Sequence, residues 1–195
     1  SFLIAYACLS PGSNLIIEDL TIADRRLGFI KALKKMGADI SILNKKIRHH
    51  EPVGDVQIKY SGRLKNVQLN ALNVVDMIDE VPILSVIGAL SRGIMKIHGI
   101  SELKFKESNR VLAITANLRA MGCDIRNQNN TILIKGREYL YNTNIKTFSD
   151  HRIAMAFYIA SLFSKRRARF DNMGCIDISF PVCRLQYQFE TSIDN

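Results

Sequence analysis

Two short stretches, Lys106-Glu107-Ser108-Asn109-Arg110 and Ser149-Asp150-His151-Arg152, carry the residue types that proton transfer and anion binding require. Each packs cations beside carboxylates, and each stands directly before an apolar run with helical spacing. The first turn of a helix carries roughly half a positive charge, so arginine there is unfavourable unless a negative group compensates it. A bound anion is one such group, because free N–H donors and a guanidinium can hold it together. The plainer alternative is a pair of helix starts with ordinary caps and solvated arginines. Their co-occurrence in one basic chain favours a site.

The elements that must position these stretches show an internal repeat. Leu33-Lys34-Lys35-Met36-Gly37-Ala38-Asp39-Ile40 recurs as Leu118-Arg119-Ala120-Met121-Gly122-Cys123-Asp124-Ile125, and at the same offset Asp24-Arg25 falls on Asn109-Arg110. Each copy reads as an amphipathic helix ended by a left-handed glycine and followed by an alternating strand. Ala7 to Gly12 and Ala89 to Gly93 each end an apolar helix and precede a strand, Leu15 to Glu18 and Ile94 to His98. Ile153 to Phe163 with Ala168-Arg169-Phe170 is a third, looser copy. The unit is helix, turn, strand, helix, glycine turn, strand, strand at roughly 80 residues, too long for a common solenoid. Strands alternating with helices give an α/β (α+β) fold of repeated βαβαββ units. The units fall at about 1–61, 62–136 and 137–195 in a single domain, the first without its leading strand.

Composition bounds the class. The 195 residues are 47% hydrophobic and 23% charged with only four prolines, which is globular rather than disordered. Lysine plus arginine number 27 against 18 acids, a net charge of +9 that suits a phosphorylated substrate, nucleic acid or anionic lipid without choosing among them. No aromatic-interleaved basic stretch reads as a nucleic-acid arm, and Lys165-Arg166-Arg167 is too short for one. The longest apolar run falls far short of the roughly 20 residues a membrane helix needs. No signal peptide opens the chain, which starts without Met as if inside a helix, so a piece of something longer is expected. Cys8, Cys123, Cys175 and Cys183 form no C-x-x-C pair and read as free, mostly buried thiols of a reducing, cytoplasmic compartment. No metal-ligand spacing is present, and neither metal nor cofactor is expected. His49-His50 reads as an exposed polar connection.

At these motifs the chain resembles the EPSP synthase family, the 3-phosphoshikimate 1-carboxyvinyltransferases. Lys106 to Arg110 is similar to the family's K-E-S-D-R signature and Asp150 to Ala156 to its D-H-R-I-A-M-A signature. Ile78-Asp79-Glu80-Val81-Pro82-Ile83-Leu84 resembles I-D-E-x-P-x-L, and Ser179-Phe180-Pro181 supplies a fourth match in the same order. The resemblance is to the C-terminal half only. It implies one domain of a two-domain enolpyruvyl transferase fold, with the active site in the cleft and the N-terminal domain absent from this chain. The reaction implied moves the enolpyruvyl group of phosphoenolpyruvate to the 5-hydroxyl of shikimate 3-phosphate, on the way to chorismate and aromatic amino acids. Asp79 matches the aspartate that contacts the attacking hydroxyl; the residue-level alternative is a helix N-cap before Pro82. Lys106 and Glu107 match the pair that handles the proton at the methylene carbon and the hydroxyl, and coupling forbids assigning one proton to one residue. Arg110 and Arg152 match the arginines that grip phosphoenolpyruvate, a task that suits a planar, always-charged fork. His151 stands ready to donate to the same ligand, and Asp150 reads as a cap rather than a reactant. The implied partners are these two substrates and the N-terminal domain, with no nucleic acid and no membrane, in a full-length monomer.

The chain departs from the family pattern in places. Asn109 replaces the usual Asp, removing a charge beside Arg110 and loosening its expected orientation. Lys165-Arg166-Arg167 replaces a glycine-containing turn, Ile178 stands where some members have lysine, and Val182-Cys183-Arg184-Leu185 is unlike the usual aromatic helix start. Three other readings compete: a UDP-N-acetylglucosamine enolpyruvyl transferase relative, a non-catalytic anion- or nucleic-acid-binding module, and a decayed or truncated enzyme. The first fits the paired motifs less well, and the second lacks the aromatic residues on which single-strand binders stack bases.

Overall fold

Helical and alternating apolar spacings resolve into an ordered series of elements in the computed structural model, which describes residues 1–141, 143–165 and 168–178. In chain order they are α1 (Phe2–Leu9), β1 (Asn14–Thr21), α2 (Gly28–Lys35), β2 (Asp39–Arg48), β3 (Glu51–Lys59), β4 (Gln68–Leu69), α3 (Ala71–Val75) and α4 (Val81–Leu90). There follow β5 (Ile94–His98), α5 (Arg110–Ala120), β6 (Asp124–Gln128), β7 (Thr131–Lys135), β8 (Leu140–Tyr141), β9 (Asn144–Ile145), α6 (His151–Leu162), β10 (Ser164–Lys165) and β11 (Arg169–Phe170). The mixed α/β class is as expected. The motifs at Ser179-Phe180-Pro181 and Val182 to Leu185 lie outside the described residues, as do Arg166, Arg167, Cys183 and the side chain of Ile178.

Glycine ends both copies of the repeated helix by the same backbone device. Gly37 and Gly122 have φ of +94° and +83°. Ala38 N–H donates to the Leu33 carbonyl at 3.0 Å and Gly37 N–H to Lys34 at 3.0 Å; Cys123 and Gly122 repeat this on Leu118 and Arg119, each at 2.9 Å. Each pair closes a Schellman motif and satisfies carbonyls that the helix end leaves open. The copies differ at their starts. α5 begins at Arg110, whereas Asp24 and Arg25 lie in a separate one-turn 3-10 helix before α2, which begins only at Gly28.

The sheets cover a helical centre. β1-β3-β2 form an antiparallel sheet, and β4-β5-β7-β6 form a second in which only β4 and β5 run parallel. The short strands pair in parallel couples, β8 with β10 and β9 with β11. α4 is apolar on nearly every side, and all ten of its residues are buried, as befits a helix inside a core. It packs against α1, α5, α6 and β7. Gly88 lets α4 also lie close against β5, since a Cβ there would come within 2.7 Å of the Met95 sulfur. Cys8 and Cys123 are buried free thiols, pushed up by burial to about 12 and about 11. His49 and His50 form the exposed turn between β2 and β3. Among the described residues no helix is long and apolar enough to cross a membrane.

This packing brings the first turns of α4, α5 and α6 together, with Asp79, Arg110 and Arg152 at or beside them. The two glycine caps give a direct test of the backbone argument. A Cβ at Gly37 meets nothing within 4 Å, so Gly37→Ala should lose only the left-handed preference, about 1 kcal/mol by urea denaturation. Gly122→Ala should lose somewhat more, because its Cβ would also crowd the Tyr141 ring at 3.1 Å, whereas the Arg137 guanidinium tip at 2.6 Å can swing aside.

Candidate active site

Arg110 is the first residue of α5, and its side chain is fully buried. Its Nε donates to Asp150 Oδ2 at 2.8 Å, and Nη2 reaches Asp150 Oδ1 at 3.4 Å. Nη1 donates to Asp79 Oδ1 at 2.8 Å and Nη2 to Glu107 Oε2 at 2.5 Å. Three carboxylates from three segments thus share one guanidinium. Asp150 is as buried as its partner and caps α6, accepting from the backbone N–H of Arg152 at 2.9 Å and of Ile153 at 3.4 Å. It also accepts from Ser108 Oγ at 3.0 Å. The turn before it is strained: Phe148 and Ser149 both have φ of +54°, which costs a non-glycine residue about 1–2 kcal/mol. Thr147 anchors that turn, donating from N and Oγ1 to Asp171 Oδ1 at 2.9 and 2.7 Å.

Asp79 lies at the middle of the cluster. It belongs to a 3-10 turn, Ile78–Glu80, and Glu80 rather than Asp79 occupies the N-cap position of α4, so the expected cap role falls away. Besides Arg110, Asp79 faces Lys106 at 3.8 Å and Arg152 Nη2 at 3.6 Å, and its carbonyl accepts from Arg152 Nη1 at 3.2 Å. Lys106 is closer to Glu102, at 2.9 Å, and Arg152 also stands 3.7 Å from Glu80. His151 is the half-buried first residue of α6. Asn109 caps α5 by accepting from Leu112 N–H at 3.1 Å, and its loss of charge leaves Arg110 firmly held by the three carboxylates. The loosening expected from Asn109 is therefore absent. A cavity of about 340 Å³ lined by Ile4, Arg26, Phe29 and Glu51 shares only Glu80 with this cluster, whose Asp79, Glu107 and Arg152 side chains are partly exposed.

The charge count departs from the expectation of cations awaiting an anion. Lys106, Arg110 and Arg152 meet Asp79, Glu80, Glu102, Glu107 and Asp150. The compensation for arginine at a helix start is supplied by the protein's own carboxylates. Asp150, the strongest of these partners, was legible as a cap but not as the anchor of Arg110; an acid at one helix start and an arginine at another were the available signals. Burial pushes Asp150 up, but the Arg110 guanidinium and the N–H and Ser108 donors outweigh it and hold the carboxyl below its usual range. Asp79 is likewise pushed up by burial and held down on balance by Arg152, Arg110 and Lys106. Lys106 is raised, first by its bond to Glu102.

A buried pair that loses one partner leaves an uncompensated charge, so Asp150→Ala should cost about 3–5 kcal/mol of unfolding free energy in urea at neutral pH. The sign with pH follows from the depressed folded value. The stability Asp150 contributes is complete above the unfolded carboxyl pKa of about 3.9 and is lost as pH falls through the lower folded value. The difference between wild type and Asp150→Ala should therefore shrink below about pH 4.

Known proteins share this arrangement of elements. A profile of the family described as EPSP synthase (3-phosphoshikimate 1-carboxyvinyltransferase) matches residues 1–184. The 3-phosphoshikimate 1-carboxyvinyltransferase of Thermodesulfovibrio yellowstonii is 38% identical over 181 residues, 93% of this chain and 42% of that protein. The protein of the same name from Petrotoga mobilis is 38% identical over 182 residues, with the same coverage. The structure of EPSP synthase from Acinetobacter baumannii superposes with a TM-score of 0.88 at 31% identity, covering 93% of this chain and 42% of that one. The enolpyruvyl transferase NikO from Streptomyces tendae has a TM-score of 0.69 at 18% identity, covering 94% and 40%, a likeness of fold alone. The chain thus spans under half the length of the relatives it matches. With a family profile running through nearly all of its residues, the chain belongs to the EPSP synthase family.

Proposed function

We propose that this chain is the C-terminal domain of an enzyme that transfers the enolpyruvyl group of phosphoenolpyruvate to the 5-hydroxyl of shikimate 3-phosphate. On this reading the domain comprises three repeated units, at about 1–61, 62–136 and 137–195, and the remaining length of the relatives supplies the opposing wall of a cleft. The single observation that carries the reading is convergence: Lys106 and Arg110 from one segment and Arg152 from another meet around the Asp79 carboxylate of a third, at the starts of α4, α5 and α6. Membership of the family gives that convergence its chemistry. The whole enzyme is read as a cytoplasmic monomer.

The reaction adds the hydroxyl oxygen to the central carbon of the enolpyruvyl group while the methylene carbon takes a proton. Phosphate then leaves as the methyl carbon gives a proton back. Asp79 is assigned to accept the hydroxyl proton, being ionised in the ordinary pH range. Lys106 keeps its proton because Glu102 holds it charged, which suits it to donate or to stabilise developing negative charge rather than to act as a base. Glu107, more than half exposed, is assigned with Lys106 to the methylene proton. Arg152, partly exposed, and His151 beside it are assigned to the phosphate and carboxylate of phosphoenolpyruvate. Arg110 serves the same ligand with the edge that faces Asp79 and Glu107.

The test is complementation. The chain alone should release no measurable phosphate from the two substrates, and co-expression with the N-terminal portion of a relative should restore turnover. In the complemented protein Asp79→Ala and Arg152→Ala should each lower turnover by about 10²–10⁴-fold. Full activity with both substitutions would remove these assignments, and no activity after stable complementation would remove the function.

A further inference from the structure

We infer that an anion enters this site by exchange, its oxygens replacing the Asp79 carboxylate on the outer edge of Arg110. The proposal rests on the anion-binding part of the reading above and needs none of its carbon chemistry. Its basis is the inequality of the two carboxylates that Arg110 holds from distant segments. Asp150 is fully buried with Arg110. Both of its oxygens are spent: Oδ2 on Arg110 Nε and Ser108, Oδ1 on Arg110 Nη2 and two backbone N–H groups of α6. Removing it would strand a buried guanidinium edge and uncap a helix. The Nε edge is therefore permanent.

Asp79 has the opposite character. Its side chain is 39% exposed, and of its cation contacts only that to Arg110 Nη1 is a close hydrogen bond. Arg152 and Lys106 stand at 3.6 and 3.8 Å, within electrostatic reach but not at bonding distance. An exposed carboxylate regains hydration when it leaves, so its release costs far less than that of a buried one. Asp79 thus occupies the place where three basic side chains converge, and it does so as a stand-in anion. Glu107, 52% exposed on Nη2, is the second replaceable partner. A tetrahedral or carboxylate ligand offers oxygens to the same Nη donors that Asp79 and Glu107 now occupy.

Exchange has a mechanistic consequence. The carboxylate assigned to receive a hydroxyl proton is occupied with cations while the site is empty, and becomes free only when the ligand takes those cations over. Binding would then prepare the base, and an empty site would hold it idle.

Sulfate, whose charge is constant over the useful pH range, is the probe, titrated into the chain as it stands and followed by side-chain NMR. Asp79→Asn removes the competitor and keeps the shape, so sulfate should bind about tenfold tighter, the worth of one charge-assisted hydrogen bond. Glu102→Gln removes an equal charge from the Lys106 side of the cluster, and should change affinity less than about twofold if through-space charge is all that is lost there. In the wild type the Asp79 carboxyl ¹³C resonance should move with sulfate, while that of Asp150 stays. The inference is overturned if Asp79→Asn binds sulfate no tighter than Glu102→Gln, if the Asp150 resonance moves instead, or if neither wild type nor Asp79→Asn binds at all. Failure of enolpyruvyl turnover in the complemented enzyme would leave these measurements unaffected.

Discussion

The pair between Arg110 and Asp150 is the constraint on which the site is built. Both side chains are wholly buried, and they join the first residue of α5 to the N-cap of α6 across forty residues of chain. Taking two charges out of water is costly, and only good geometry with every lone pair used returns that cost. Here the carboxylate receives five contacts from side chains and backbone, and two of them cap a helix. Lysine in place of Arg110 would put a single point charge there. The planar fork instead fixes one edge on Asp150 and aims the other at Asp79 and Glu107.

That geometry reinterprets the basic character of the chain. A net charge of +9 invites a search for a positive cleft, yet the cluster holds more carboxylates than cations. The excess of lysine and arginine lies elsewhere, for instance at Lys34, Lys35, Lys45 and Lys135 on exposed surface. What distinguishes the cluster is the arrangement of charge. One acid is wholly buried and others are partly exposed, around two guanidinium groups and one ammonium.

Local signals in the sequence mark where the helices start and stop. Gly37 and Gly122 end helices because only a residue without Cβ takes φ near +90° cheaply, and Asn109 and Asp150 start them because their oxygens reach the N–H groups of the first turn. The contacts of Arg110 were illegible for the complementary reason. Only Glu107 is a sequence neighbour; Asp79 and Asp150 lie 31 and 40 residues away, and their approach depends on how α4, α5 and α6 pack. Asp79 looked like a cap because the 3-10 turn that moves the N-cap position to Glu80 has no sequence mark of its own. The two-residue strands β8 to β11 are too short to show a period. The left-handed Asp19 and Asn44, where β1 and β2 both bulge, are set by Asp55 from the strand between them, which accepts from Asp19 N–H and Asn44 Nδ2.

The meeting of three helix starts accounts for the sign of the cluster. Asp79 and Glu80 precede α4, Asn109 caps α5 and Asp150 caps α6, so the positive ends of three helices face one small volume. Each contributes roughly half a positive charge, on the order of one and a half in all. The five carboxylates exceed the three basic side chains by two. The peptide dipoles therefore bring the cluster close to neutrality. Arginine at the start of α5, the feature that looked most out of place in the sequence, is tolerated because the acids it holds are themselves stabilised by those helix ends. A dianion that takes the place of one carboxylate adds only one negative charge to that balance. In that sense a site lined with acids can receive an anion.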